Sequence, residues 1–509
     1  MRENHPEGRS RGSGGLWCAF ALACIGASLA AGPVLGQGPG VIQGHVKGVG
    51  GAALSGASVT AKDTATGMAT TKLTDGDGSY SIHSLVPGTY EVTAALCAYS
   101  AAVTKDVVVH TGLVVTLDFE LECANASAEP SAGMDLYGFA MLDMGYQDGQ
   151  NDPDWFDVLR PTKLPSFENQ FGKDGHYYAG VRQTRFGLKA NMPTSVGDVK
   201  AIFEFELFGV GADAGQTTFR LRHAYGELGQ FGAGQTWSPF MDIDVFPNSI
   251  EYWGPTGMAF FRNVQVRWMP IQGDTRLTFA LERPGASGDA GDYADRVEVQ
   301  NLRGRFPYPD ISGEYRMGGD WGYFEVAGIV RYMKWDDTLA DEFDLSGSDT
   351  GWGINLSTNV KFANSVLRAS ALYGEGIENY MNDAPADIGA RVDPNNPTQP
   401  LDGELLPVLG FSAFIDVNWS DTMTSTFGWS GIDIDNSNGQ SASAFSKGDY
   451  ALANVLFYPA PGVMFGPELQ YGRRRNFRDG FESDDLRIQF SVKYNFSHHL
   501  GGSGWGGPR

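Results

Sequence analysis

Between Asp135 and Phe496 the chain alternates apolar and polar residues in short segments, each long enough for one extended strand. In the last of them Leu486, Ile488, Phe490, Val492, Tyr494 and Phe496 fall on one face, and Arg487, Gln489, Ser491 and Lys493 on the other. The same period of two sets Leu277, Phe279 and Leu281 against Arg276, Thr278 and Glu282. It also sets Trp352, Ile354, Leu356, Val360 and Phe362 against Asn355, Ser357, Asn359 and Lys361. Read this way, sixteen strands are expected: 135–145, 181–192, 198–209, 217–229, 231–238, 258–269, 274–283, 308–318, 320–334, 350–362, 365–377, 406–419, 421–432, 448–459, 461–473 and 484–496.

The connections alternate as well. Short links such as Gly229-Gln230, Ala363-Asn364 and Ser420-Asp421 are interleaved with long ones at 146–180, 284–307, 378–405 and 433–447. A transmembrane barrel has short turns on its periplasmic side, long loops outside and an even strand number. A soluble sandwich has no reason to alternate its loops so regularly. The expected fold class is therefore all-β: a sixteen-stranded antiparallel transmembrane barrel over 134–496, its apolar face turned to outer-membrane lipid. Tyr225, Trp268, Tyr332, Trp419, Trp429, Tyr458 and Tyr494, near strand ends, suit interfacial girdles.

Ahead of this body, β-rich runs at 41–47, 57–62, 80–83, 89–95, 103–110 and 113–121 are separated by turn-forming residues. Arg2, Arg9 and Arg11, the apolar run Leu16–Ala31 and small residues through Gly36 read as a secretory signal over 1–37. Residues 123–133 then form a linker and 497–509 a tail. Only Cys97 and Cys123 follow the signal. Their spacing leaves a disulfide and two free thiols equally open.

The formal net charge of −23 speaks against a nucleic-acid partner. Much of the acid is clustered at 336–349 and 375–404, as in solvated loops. Asp75 and Asp77 lack the spacing of a calcium loop and fit a hairpin turn. No nucleophile elbow, zinc helix or phosphate loop is present, so neither an enzyme nor a cofactor or metal site is expected.

Parity places Arg185, Lys189, Arg220, Arg222, Arg267, Arg276, Arg316, Arg331 and Arg368 on the lumen face, among Glu204, Glu206, Glu282, Glu314, Glu325 and Asp416. Rings of Arg and Lys in a pore favour anions. The loop 238–257 follows the fifth strand, and its Asp242, Asp244, Asn248 and Glu251 are candidates for a constriction that filters solutes. His223 is expected outside, beside Leu221 and Tyr225.

Two resemblances add to this reading. Residues 41–122 resemble the carboxypeptidase regulatory-like domain family, through Gly44-His45-Val46, Leu54-Ser55-Gly56-Ala57 and the run Leu85–Val92. That implies a seven-stranded accessory sandwich of Ig-like or prealbumin-like type, with no peptidase activity. Arg185–Ala190, Pro193–Lys200, Phe203–Gly209, Phe219–Gly229 and Ala233–Asp242 resemble the DcaP-like porins. That resemblance implies a trimeric channel for small hydrophilic solutes, dicarboxylates in particular. A TonB-dependent transporter would need 22 strands and a plug, for which the chain is too short. The alternative function is a surface-binding, adhesin-like protein whose barrel is mainly an anchor.

Overall fold

The computed structural model describes residues 40–49, 51–96, 102–110, 113–121 and 132–501. The signal segment 1–37, Cys97 and Cys123 lie outside the described residues. The chain divides into two compact units between Glu129 and Pro130.

The first unit is a sandwich of two four-stranded sheets. One sheet is built on Gly40–Gly48, which pairs antiparallel with Ser79–Leu85 and parallel with Val114–Thr116 and Phe119–Leu121. The other runs Ala69–Leu73, Ser58–Asp63, Gly88–Ala95, Ala102–Val109. The alternating residues Ile42, Val46, Val59, Ala61, Tyr80, Ile82, Tyr90, Val92, Phe119 and Leu121 form the core. The count is eight strand segments rather than seven because the last edge breaks at Leu117-Asp118, where the Leu117 N–H turns to Gln43 O instead. At the hairpin, Asp77 accepts from Ser79 N and Oγ (3.0 and 2.6 Å), and Gly78 takes φ +79°. The turn geometry thus occupies the carboxylate.

The second unit is a closed barrel of sixteen staves. Its main strands are Gly133–Gln147, Arg185–Thr194, Gly197–Phe208, Thr217–Leu228, Phe231–Trp237, Arg262–Ile271, Arg276–Glu282 and Asp310–Gly319. They continue as Gly322–Asp337, Gly347–Phe362, Ser365–Glu375, Pro407–Ser420, Met423–Ile434, Phe445–Ala460, Val463–Asn476 and Glu482–Gly501. His176–Gly180 extends the second stave and Leu302–Arg305 the eighth. Closure comes from the last strand lying antiparallel to the first, from Arg487 opposite Gln147 to Gly501 opposite Gly133. The strand therefore runs past Phe496 into the expected tail, because the first strand begins early enough to offer Leu136, Asp135 and Met134 as partners.

The two faces separate as the alternation requires. Leu486, Ile488, Phe490 and Tyr494 are exposed outward, whereas Arg487, Gln489 and Ser491 between them are buried inward. A polar interior inside an apolar sleeve suits a barrel in lipid. No helix among the described residues is long and apolar enough to cross a membrane. The first strand's start, the last strand's end and the two-residue turns share one rim. The long segments 148–175, 238–261, 283–309 and 376–406 leave the other.

Replacing Ile488 with Arg is expected to cost about 2–4 kcal/mol if the residue lies near the bilayer midplane. Denaturant titration of protein folded into lipid vesicles measures this, and Ile488→Leu should be nearly silent.

Candidate functional site: the inward loop and the lumen wall

The segment between Trp237 and Arg262 does not project outward. It runs around the inside of the barrel, one polar anchor after another. Ser238 Oγ donates to Glu282 (2.6 Å). The Asp242 carboxylate accepts from Arg316 Nη2 (2.7 Å), Tyr323 OH (2.6 Å) and Ser357 Oγ (2.7 Å). Asp244 accepts from Arg316 Nη1 (2.6 Å), and its carbonyl accepts from Asn359 (2.8 Å). Asn248 Nδ2 donates to Thr424 Oγ1 (3.1 Å) and Tyr458 OH (3.0 Å). Glu468 accepts from Ser249 Oγ and Ile250 N (2.9 and 3.0 Å), and Ile250 O accepts from Gln183 and Gln489 (2.8 and 3.0 Å). Glu251 accepts from Leu159 N (3.0 Å), and the Tyr252 hydroxyl donates to Glu206. The circuit ends where it began, with Ser238 N donating to Phe261 O (3.0 Å).

The loop is thus fixed to most of the staves by buried polar bonds, several of them charge-assisted and so among the strong kind. It also carries apolar weight. Phe240, Met241 and Ala259 pack with Ile377, Tyr380, Met381 and Leu406 of the 376–406 segment inside the barrel. The acids expected to meet solute serve as anchors instead. Asp242 and Glu251 are buried, and only Asp244 keeps a substantially exposed carboxylate.

The expected lumen bases divide into four groups. Arg222 holds Glu204 and Glu206 (2.6 and 2.7 Å), Arg185 lies 3.3 Å and Arg220 3.8 Å from Glu206, and Arg262 is also at 3.8 Å. Four guanidiniums therefore face two carboxylates, an excess of two positive charges. On the neighbouring wall the balance is reversed. Arg316 contacts Asp242, Asp244 and Glu325, and Arg276 contacts Glu314 and Glu325, so two guanidiniums face four carboxylates. Arg331 is locked between Asp310 (3.1 Å) and Asp387 (2.7 Å), and Arg368 against Asp416. Arg222, Arg316 and Arg331 are thus buried in ion pairs and offer solute no free face. Among the described residues, Arg267 and Lys189 pair with no carboxylate; they lie over the Tyr225 and Tyr137 rings.

A bulge changes one assignment. Glu204 is opposite His223 but Phe205 is opposite Leu221, so Arg222 is an extra residue and parity shifts beyond it. His223 and Tyr225 consequently turn inward; the His223 ring bonds Thr236 Oγ1 (3.0 Å) and meets Trp237 edge-on. Tyr458 also points inward, to Asn248.

The lumen holds groups that alternation could not locate. Arg262, outward by parity, sits where the loop re-enters the wall and bends in over Trp237. Arg160 reaches in from the 148–175 segment, paired with Asp383 at 2.9 Å and stacked on Trp253. Glu378 lies in the Glu378–Tyr380 turn with both carboxylate oxygens buried and unpartnered. Burial, with the Asp387 carboxylate nearby, holds it well above the usual carboxylate range.

The sixteen-stave barrel has counterparts among known proteins. The barrel matches the DcaP outer membrane protein family over residues 168–379. This DcaP-like stretch contains the whole circling loop and the Arg185–Arg262 cluster. Residues 41–122 match the carboxypeptidase regulatory-like domain. Among solved structures, the outer membrane channel DcaP of Acinetobacter baumannii is similar with a TM-score of 0.59 at 23% identity, covering 72% of this chain and 99% of that one. OmpT, an outer membrane protein of Vibrio cholerae, gives 0.45 at 12% identity, covering 73% and 100%. No curated protein matches the chain by sequence. The DcaP-like barrel has the fold of an outer-membrane porin.

Asp242→Ala is expected to destabilise the folded protein by about 3 kcal/mol, since it leaves Arg316 Nη2, Tyr323 OH and Ser357 Oγ without their buried acceptor. Asp244→Ala, at a partly exposed pair, should cost less than about 1 kcal/mol. Chemical unfolding of the two variants side by side measures the difference.

Proposed function

We propose that this protein is an outer-membrane porin passing small hydrophilic solutes with a preference for anions, small dicarboxylates included. The carrying observation is the convergence of Arg185, Arg220, Arg222 and Arg262 on only Glu204 and Glu206 beside the circling loop. The compensating acids are placed differently. Asp242 and Glu325 are buried, whereas Arg185 and Arg220 keep part of their side chains exposed, and Arg220 lines a cavity between the loop and the 376–406 segment. A solute crossing there meets more cationic than anionic surface, and the low-dielectric walls strengthen that field.

The Acinetobacter baumannii DcaP is described as an outer membrane channel, and we extend that role to this chain. The apolar outer band then faces outer-membrane lipid, and the long segments face the cell exterior. The rim bearing Gly133 and Gly501 faces the periplasm, where the sandwich resides. A homotrimer is the assembly that the DcaP-like resemblance implies. No enzymatic step and no cofactor is part of this reading.

Purified protein in a planar bilayer should give stepwise conductance, with a reversal potential of anion-selective sign in a salt gradient. Arg220→Ala combined with Arg262→Ala removes the two outlying cations while leaving Arg222 to hold Glu204 and Glu206. The double variant should move the reversal potential towards zero. An unchanged value would contradict the anion assignment.

A further inference from the structure

The cavity above the circling loop has a volume of about 310 Å³, within the range of small-molecule sites. Two of its lining residues keep buried polar atoms without a partner. Arg262 Nη1 is buried without a hydrogen-bond partner, and so are both oxygens of Glu378. The other two cations there are already engaged, Arg160 with Asp383 and Arg220 with the Tyr252 hydroxyl. The backbone explains why the unmet pair shares one cavity. The loop's return leg runs antiparallel to the 376–406 segment, with Ala259 bridged to Met381 and Phe260 N donating to Tyr380 O (2.8 Å). Arg262 follows that leg and Glu378 opens the turn before Tyr380, and both line the cavity. The two side chains nonetheless form no ion pair with each other. Trp253, Phe260 and Phe261 supply aromatic wall between and around them.

A buried guanidinium N–H and a buried carboxyl, each without a partner, are costly to maintain. A ligand that supplies an anion to one and a cation to the other removes both costs at once. A simple anion satisfies only the first and leaves Glu378 unmet. The shortest common arrangement bearing both charges is an ammonium and a carboxylate on one carbon. The aromatic wall adds a preference for a ring attached to it.

We propose that this cavity is a binding site for zwitterionic aromatic solutes, the α-amino acids with ring side chains. Their carboxylate takes Arg262, their ammonium takes Glu378, whose carboxyl releases its proton to solvent as the cation arrives, and their ring lies against Trp253 and Phe260. The site rests on the porin reading for its place on a solute path, but its binding chemistry is separately measurable. It makes the pore more than a charge filter: a solute with both groups is held, while a plain anion passes with weaker contact.

Isothermal titration of the detergent-solubilised full chain with phenylalanine, N-acetylphenylalanine and phenylalanine amide tests this. The zwitterion should bind at least about tenfold more tightly than either singly charged analogue, as one charged hydrogen bond warrants. Glu378→Gln should abolish the advantage over the N-acetyl compound, and Arg262→Ala the advantage over the amide. Equal affinity for all three ligands in the unmodified protein, or no binding of any, overturns the proposal without needing a variant. Planar-bilayer recording of the same preparation separates the readings. Absent conductance with discriminating binding would defeat the porin and leave the site. Conductance without discrimination would defeat the site and leave the porin.

Discussion

The polar wall inside the barrel demands partners, and the segment 238–261 supplies them. Buried carboxylates such as Glu206, Glu282 and Glu468 are stable inside a lumen only where hydrogen-bond donors or cations reach them. The circling loop brings Tyr252, Ser238, and the Ser249 hydroxyl with the Ile250 N–H to those three groups, while its own Asp242 draws in Arg316, Tyr323 and Ser357. Loop and wall are each incomplete without the other. The rest follows from that mutual satisfaction: a loop held at a fixed depth along the inner wall.

The same constraint sorts the charges. Wherever the loop lies against the wall, ion pairs are buried and contribute structure rather than selectivity, as for Arg316 and Arg331. Where the loop departs from the wall, cations remain with too few acids, as around Arg220 and Arg262. On the porin reading proposed above, selectivity depends less on how many bases face inward than on which ones the loop leaves uncovered, so that a chain with net charge −23 still presents cations to solute.

Much of the fold was legible in the sequence because its determinants are local. A period of two and alternating loop lengths need no knowledge of distant contacts, and all sixteen staves lie where the alternation puts them. Ala69–Leu73 in the sandwich escaped notice because every residue in it is exposed, so it carries no alternation to read. The site was legible only in part. Asp242 and Arg316 both stand out in the sequence, but their pairing spans 74 positions and turns a presumed filter into an anchor. His223 and Tyr225 were misplaced by one extra residue at Arg222, which no periodicity reveals. Arg160 and Glu378 sit in long loops, where position in the lumen is set by packing against Trp253, Tyr380 and their neighbours rather than by any local rule.

The central claim is that the loop covers the wall at Gln489 and leaves it open at Arg220. Single cysteines at those two positions, probed with a small charged thiol reagent during planar-bilayer recording, test it most directly. The account predicts rapid modification with a fall in current for Arg220→Cys, whose native side chain is partly exposed, and protection for Gln489→Cys, whose native side chain is buried against Ile250 of the loop. Equal reactivity at both positions, or reaction at Gln489→Cys alone, would contradict it.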